Sequence, residues 1–188
     1  MEYTLRLAQL EDLAVLHALI VRSIHGLGAA DYSGAQIDAA LQGAFGVDTA
    51  LIRDGTYFVA ETPARDIIAC GGWSRRRTLF GGDTGAERDE SWLDPKTEPA
   101  KIRAFFVDPA YARHGIGRAL LARSEADAIR AGFSSLEMMA TLPGKRLYEQ
   151  CGYLPDAAID YPLPGSLTIR FVPMRKRFAV GSCQPLAE

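Results

Sequence analysis

Residues 107–121, VDPAYARHGIGRALL, place a proline turn, a glycine-spaced basic patch and an apolar run next to one another. Gly115 and Gly117 let the backbone approach an anion closely. If the apolar run begins a helix, its unpaired N–H groups and its positive dipole end converge on this loop. Positive side chains around the same place are Arg113, His114 and Arg118. The stretch therefore predicts an anion site, and this charge suits a pyrophosphate better than a single carboxylate.

Two common nucleotide motifs do not fit this loop. A dinucleotide fingerprint needs a third glycine, which residues 118–121 lack, and the Gly-Lys-Ser/Thr of a P-loop is also missing. The nucleotide must therefore belong to another class. A plain glycine-bearing turn with solvated arginines stays open as the alternative at this point.

The elements around the loop alternate between strands and helices. Alternation at 3–8 predicts a strand, and the helical spacing of Leu13, Leu16, Ile20 and Ile24 predicts a helix. Further on, Ser33 with Gln36 has the pattern of a capping box that begins a second helix. β-branched and aromatic runs predict further strands at 56–61, 66–74, 102–107, 136–140 and 167–178. Helices are predicted from near Gly117 and over 144–153.

The predicted helix after the loop carries alanines at helical spacing. Its expected buried face consists of Ala119, Ala122, Ala126, Ile129 and Phe133. Interleaved strands and helices, with one strand-helix-strand crossover in the second half and antiparallel meanders elsewhere, indicate an α/β (α+β) fold with a mixed sheet. We expect one domain over 1–178 and a tail over 179–188.

Composition narrows the functional classes. The net charge is −2, which gives no reason to expect nucleic acid or a membrane surface as a partner. No apolar run reaches the ~18 residues of a membrane span, and no basic segment precedes an apolar stretch at the start. We therefore expect a cytoplasmic protein. Cys70, Cys151 and Cys183 are widely spaced, which predicts reduced thiols and no metal site.

Two linked motifs resemble the GNAT superfamily of acetyl-CoA-dependent N-acetyltransferases. That family's phosphate loop reads Q/R-x-x-G-x-G/A after a V-x-P-x-Y/W strand end, which is similar to VDPAYARHGIGRALL. A later helix in the family reads F/L-Y-x-x-x-G-F/Y, which is similar to RLYEQCGY at 146–153. The resemblance covers essentially the whole chain. It implies a GNAT-like fold, with a central twisted, mostly antiparallel sheet flanked by helices, and acetyl-CoA as co-substrate.

The resemblance also implies roles for individual residues. Main-chain groups of Phe106 and Val107 would pair with the pantetheine amides, residues 113–118 would hold the pyrophosphate, and Tyr148 would be the general acid at the thioester sulfur. The implied cofactor-binding residues are Phe105, Phe106, Val107, Ala112, Arg113, His114, Gly115, Ile116, Gly117, Arg118, Thr141 and Tyr148. Two of them depart from the family pattern, since Ala112 replaces Gln or Arg and Thr141 replaces an Asn found in many members.

The acceptor and the general base stay open. The resemblance implies a primary amine of a small molecule or protein, and such an amine must lose a proton before it attacks. Lys101 stands where many members have a glutamate base, so the candidates are Glu61, Glu98, Glu137 or a chain of waters. An acyl-CoA-binding regulatory domain with little turnover is the alternative function. A homodimer through the terminal strands is an expectation from the resemblance alone.

The segment 79–99 is locally acidic and has two interpretations. It could form an acceptor wall that attracts a cation, or it could be a solvated loop. Its charged residues are Asp83, Glu87, Asp89, Glu90, Asp94 and Glu98, against Arg88 and Lys96. The run of Arg75, Arg76 and Arg77 before it could reach phosphates of CoA or an acidic acceptor, or could be a solvated strand end.

Overall fold

The structure is a computed structural model that describes residues 1–84 and 88–178. The strands are β1 (Thr4–Leu7), β2 (Tyr57–Glu61), β3 (Ile67–Ser74), β4 (Ala100–Val107), β5 (Ser135–Thr141), β6 (Leu154–Pro155), β7 (Ile159–Leu163) and β8 (Leu167–Arg177). The α-helices are α1 (Leu13–Gly28), α2 (Gly34–Ala40), α3 (Thr49–Arg53), α4 (Ile116–Arg130) and α5 (Leu142–Gln150). The predicted elements are all present, while α3, β6 and β7 were not predicted. The predicted tail at 179–188, with Cys183, lies outside the described residues.

The strands form one sheet in the order β1-β2-β3-β4-β5-β8-β6, with β7 also paired to β8. Every pairing is antiparallel except that of β4 with β5, which are joined through α4. A parallel pair needs such a crossover because the chain must return to the end of the sheet at which the first strand began. The predicted α/β class with a mixed, mostly antiparallel sheet is confirmed.

The strands β4 and β5 part soon after they meet. Their parallel pairing consists of Ala100 with Leu136 and Lys101 with Glu137, whereas β4 continues to Val107. Lys101 and Glu137 also form a buried ion pair at the last paired position. Beyond that point β5 pairs with β8 on its other side, so the sheet is open between the ends of β4 and β5.

Helices cover both faces of the sheet, as the alternation of β2 shows. Tyr57 and Val59 join a core cluster that holds the buried face of α1, together with α2 and α3. Phe58 and Ala60 join the opposite cluster, which holds α4 and Tyr148 of α5. Successive side chains of a strand point to opposite faces, so one short strand contributes to both cores.

The predicted capping box at the start of α2 is present. The Ser33 hydroxyl accepts from the Gln36 N–H at 3.3 Å, and the Ser33 N–H donates to Gln36 Oε1 at 2.9 Å. The same glutamine donates from Nε2 to the Thr168 carbonyl at 2.6 Å. The cap therefore also ties α2 to β8.

Of the five residues predicted for the buried face of α4, only Phe133, which follows the helix, is buried. Ala122, Ala126 and Ile129 are exposed. The buried residues are instead Ile116, Leu120, Leu121, Ser124 and Ala128. The larger side chains bury more apolar surface than the alanines do. The serine on this face is tolerated because its hydroxyl donates to the Leu120 carbonyl at 2.9 Å.

Within the described ranges, no helix has the length and apolar character needed to cross a membrane.

Candidate active site

A bulge in β4 shapes the opening between the strands. Ala104 and Phe105 together face Gly71 of β3, and Ala104 has φ +55°. The Tyr57 hydroxyl donates to the Ala104 carbonyl at 2.9 Å, which holds the bulge in place. A Cβ atom at residue 71 would lie 2.8 Å from the Phe105 ring, so glycine is required there. Bulges of this kind re-aim side chains at the end of a pairing.

A cavity of about 500 Å³ occupies the opening and extends to the start of α4. It is lined from both faces of the sheet, with Ser23 and Ile24 of α1 on one side and Leu147 of α5 on the other. The predicted residues that line it are Phe105, Phe106, Val107, Ala112, Arg113, Gly115, Ile116, Gly117, Arg118, Thr141 and Tyr148. We call this space the groove.

The loop before α4 has the backbone of an anion cradle. Gly115 is the N-cap of α4 with φ +81°, and Arg113 also has a positive φ of +68°. The first-turn N–H groups of an α-helix lack intrahelical partners and carry the positive end of its dipole. In the groove they are joined by Arg113, Arg118 and Arg146. None of the described lining residues is a carboxylate, so the groove favours a polyanion.

The structure separates His114 from the other predicted residues. His114 lies outside the groove lining that the described chain forms, and its Nδ1 lies 2.9 Å from the Ala112 carbonyl. Arg146 of α5 lines the groove in addition to the predicted cations. It stands two residues before Tyr148 within the second motif, but nothing in that motif distinguished it from a solvated helix residue.

Tyr148 stands where the groove meets a second cavity. It is 7% exposed, and its ring lies edge-on to Phe105 with centroids 6.3 Å apart and to Tyr153 with centroids 6.0 Å apart. Burial raises the pKa of the Tyr148 hydroxyl above its ordinary value, and Cys151 raises it further. The phenol therefore stays protonated at neutral pH, as a proton donor must.

Two residues hold the groove walls in ways that the sequence did not indicate. The Tyr32 hydroxyl accepts from the Leu142 N–H at 2.8 Å and donates to the Arg170 carbonyl at 2.8 Å. Burial raises the pKa of Tyr32 to about 12. Thr141 is the N-cap of α5, where its hydroxyl accepts from the Gly144 N–H. Tyr32 is distant in sequence from both motifs, so neither motif could identify it.

Ser23 alters the expectation for the strand end. Its hydroxyl accepts from the Val107 N–H at 3.2 Å, and both residues line the groove. The Val107 N–H was expected to pair with pantetheine, so such pairing requires Ser23 to give up or share this hydrogen bond.

The three candidate bases are occupied elsewhere. Glu61 accepts from Arg6 at 2.8 Å, and Glu137 is paired with Lys101 and with Arg175. Glu98 accepts from the Asp94 N–H and pairs with Arg77, and these contacts lower the pKa of Glu98. None of the three glutamates is among the described residues that line the groove.

The second cavity, of about 70 Å³, adjoins the groove and shares with it Phe45, Phe105, Phe106, Thr141 and Tyr148. We call it the side cavity. The remaining lining residues are Ala44, Gly46, Leu79, Phe80, Gly81, Ile102, Arg103, Ala104, Met138, Met139 and Phe171.

A buried ion-pair network fixes one wall of the side cavity. Asp48 is fully buried and lies 2.8 Å from Arg103 and 2.7 Å from Arg88. Arg103 also donates to the Gly81 carbonyl, which ties the segment 79–82 to β4. Burial lowers the pKa of Arg103, Asp48 opposes that shift and Arg88 adds to it.

The acidic segment at 79–99 uses its carboxylates internally. Asp83 accepts from the Thr49 N–H, Asp89 from the Ser91 N–H and Asp94 from the Lys96 N–H. Glu98 pairs with Arg77, and Glu90 lies 3.6 Å from Arg88. Glu87 lies outside the described residues. No described carboxylate lines the groove or the side cavity, which favours the interpretation as a solvated loop over an acidic acceptor wall.

The arginine run at 75–77 also lies away from the groove. Arg75 stacks on Trp73 and Trp92, with 5.5 Å and 5.2 Å to the ring centroids. Arg76 pairs with Asp54 at 2.7 Å. These contacts hold Arg75, Arg76 and Trp92 against the rest of the protein, and none of the three arginines lines either cavity.

No group of three or more metal-ligating side chains is found in the described part of the chain.

Comparison with known proteins identifies the family. The acetyltransferase (GNAT) family model matches residues 32–153. No curated protein matches the chain. The fold is similar to that of a protein from Rhodopseudomonas palustris described as "GCN5-Related N-acetyltransferase: Aminotransferase, Class-II", with a TM-score of 0.69 at 20% identity, over 95% of this chain and 97% of that one.

Two further solved structures share the fold. PaiA N-acetyltransferase from Thermoplasma acidophilum, solved in complex with coenzyme A, has a TM-score of 0.61 at 14% identity, over 95% of this chain and all of that one. The protein yncA from Salmonella typhimurium, solved with its cofactor acetyl-CoA, has a TM-score of 0.63 at 15% identity, and both chains are covered in full. These similarities confirm the predicted fold. Because the family model matches more than half of the residues, the chain belongs to the acetyltransferase (GNAT) family.

Proposed function

We propose that the protein is an N-acetyltransferase that binds acetyl-CoA in the groove and acetylates a primary amine. The observation that carries the proposal is the meeting of the cationic α4 cradle, the end of β4 that lacks a β5 partner and the buried Tyr148 along one cavity. Family membership and the coenzyme A of two structural relatives support the same conclusion.

The groove residues fit acetyl-CoA by charge and by backbone. The N–H groups at the start of α4 point to the place that a pyrophosphate would occupy, and Arg113, Arg118 and Arg146 neutralise its charge. The half-buried end of β4 offers main-chain groups to an extended chain, in the way that a sheet edge accepts an added strand. Gly115 leaves the cradle open, since a Cβ atom added at this residue would have no other atom within 4 Å.

Acetyl-CoA supplies an activated acetyl thioester. The amine nitrogen would form a bond to the carbonyl carbon and lose a second proton to water, while the carbon–sulfur bond breaks and the sulfur takes a proton from Tyr148, which water then protonates again. Tyr148 holds that proton at its hydroxyl, because burial keeps the phenol protonated. An N–H group of β4 would stabilise the oxyanion that develops at the carbonyl.

The acceptor amine is an ammonium at neutral pH and must lose a proton before it attacks. No described carboxylate lines either cavity to accept that proton. We infer that water leads this proton out of the groove. The same observation favours a second candidate, an acyl-CoA-binding regulatory domain with little turnover.

One domain over 1–178, cytoplasmic location and a homodimer stay predictions.

Amine-dependent release of CoA separates the two candidates. The assay follows free thiol during incubation with acetyl-CoA and a panel of primary amines, and mass spectrometry detects the acetylated amine. The enzyme hypothesis predicts thiol release in step with product for at least one amine. Binding of acetyl-CoA with no amine-dependent release would support the regulatory domain, and no binding at all would contradict both.

A further inference from the structure

The side cavity lies beside the position that the reacting thioester would occupy. It shares Phe105, Phe106, Thr141 and Tyr148 with the groove, so a molecule resting there is adjacent to the proposed general acid. Segments 44–46 and 79–81 cover it, and the volume of about 70 Å³ leaves room only for a small body.

Six of the residues that line the side cavity are aromatic. Phe45 lies edge-on to Phe106 and Phe171, with centroids 6.4 Å and 5.9 Å apart. Phe80 lies edge-on to Tyr161 at 4.8 Å and tilted against Phe171 at 5.5 Å. Edge-on contacts hold these rings in fixed orientations, so the wall is preorganised to receive apolar surface.

The charge beside the side cavity disfavours a second positive charge on the acceptor. Arg103 is its only described charged lining residue, and this guanidinium is 2% exposed with its Nε lacking a hydrogen-bond partner. An ammonium placed in the side cavity would lose hydration without gaining a carboxylate. The nearby carboxylate, Asp48, is already held between Arg103 and Arg88.

We propose that the acceptor is a small primary amine with a short apolar body and no second positive charge. The inference rests on the proposed acetyl transfer and names the substrate class of that same site. The apolar body lies in the side cavity, and its single amine points toward the junction with the groove. Diamines, polyamines and basic peptides are disfavoured because their additional charge would have to be desolvated beside Arg103.

A matched pair of amines tests the proposal. Pentylamine and 1,5-diaminopentane have the same carbon chain and differ by one terminal ammonium. We expect kcat/KM to be about tenfold or more higher for pentylamine than for the diamine. Equal or higher kcat/KM for the diamine, or for an Nα-acetyl-lysine amide, would overturn the proposal. Failure of every amine to release CoA would instead contradict the proposed function.

A charge introduced at the cavity sharpens the test. Leu79 is a half-buried loop residue of the side cavity, so Leu79→Asp supplies the carboxylate that the cavity lacks. The variant should lower the ratio of kcat/KM for pentylamine to that for 1,5-diaminopentane at least threefold, because the new carboxylate attracts the second ammonium. Leu154→Asp, at a 74% exposed position outside both cavities, should leave the preference unchanged. An unchanged ratio in folded Leu79→Asp would contradict the placement of the acceptor in the side cavity. If that variant does not fold, the two amines compared on the wild-type protein still decide the substrate class.

Discussion

The groove and the side cavity differ in how the chain builds them. The groove takes most of its lining from two continuous stretches, 105–118 and 141–150. The side cavity combines residues from 44–46, 79–81, 102–106 and 138–141 with Tyr148 and Phe171. The groove is therefore a property of local backbone conformation, whereas the side cavity depends on contacts between distant segments. We expect substitutions to separate these two dependences.

The largest expected effect is at the junction of the two cavities. Tyr148→Phe removes the proposed proton donor and keeps the buried ring, so kcat should fall by about 10²–10⁴-fold with little change in acetyl-CoA affinity. Steady-state kinetics and acetyl-CoA titration measure the two quantities. Tyr153→Phe is the matched control, since its ring lies 6.0 Å away and lines neither cavity. A kcat for Tyr148→Phe within a few-fold of wild type would remove Tyr148 from the chemistry.

The buried network should control the side cavity and the stability of the fold. Asp48→Asn leaves Arg103 and Arg88 without their shared carboxylate, and breaking a buried ion pair costs about 3–5 kcal/mol of unfolding free energy. Denaturant unfolding measures this loss. Asp160→Asn breaks the solvent-exposed pair with Arg170 and should lower the unfolding free energy far less. Similar losses in the two variants would contradict the structural role given to Asp48.

The backbone of the cradle should show a smaller effect, confined to cofactor binding. Gly115→Ala places a side chain at φ +81°, and a left-handed conformation costs roughly 1–2 kcal/mol for a residue other than glycine. Gly55→Ala meets the same strain at φ +68°, with open space around it and no place in either cavity. Both variants should lose similar stability in thermal unfolding, but only Gly115→Ala should also lose acetyl-CoA affinity. Equal acetyl-CoA affinities of the two variants would indicate that the pyrophosphate binds away from Gly115.

The smallest expected effect concerns the cation that the motifs did not identify. Arg146→Gln should weaken CoA binding about threefold to tenfold, since one exposed charge-assisted hydrogen bond contributes about 1 kcal/mol. Calorimetric titration at two salt concentrations should show a smaller salt dependence for the variant. Arg75→Gln, from the run that stacks on Trp73 and Trp92, should bind CoA as the wild type does.

The contrast between the cavities also explains what the sequence could predict. The strand, the turn and the glycine-spaced loop are consecutive, so their order predicted an anion site near Gly115, whereas Phe105 was named only through the resemblance to the GNAT family. Asp48 and Arg103 are far apart in the sequence and come together only when the loop after α2 packs on β4. Neither belongs to a motif, so no local pattern could predict that pair.

The buried face of α4 shows a different limit. The alanines at 119, 122 and 126 have helical spacing, but so do Ile116, Leu120, Ser124 and Ala128. Spacing alone could not decide between the two faces, because the second includes a serine that satisfies its hydroxyl within the helix. Burial of the larger aliphatic side chains decided it.

The most direct test is thermal unfolding of the full chain with and without saturating acetyl-CoA. A ligand at one hundred times its dissociation constant adds ~2.7 kcal/mol, and each kcal/mol raises the midpoint of a domain of this size by about 2–4 °C. We predict a rise of about 5–10 °C that shrinks in Gly115→Ala and persists in Gly55→Ala. No rise in the wild type, or an equal rise in both variants, would contradict binding of acetyl-CoA at the start of α4.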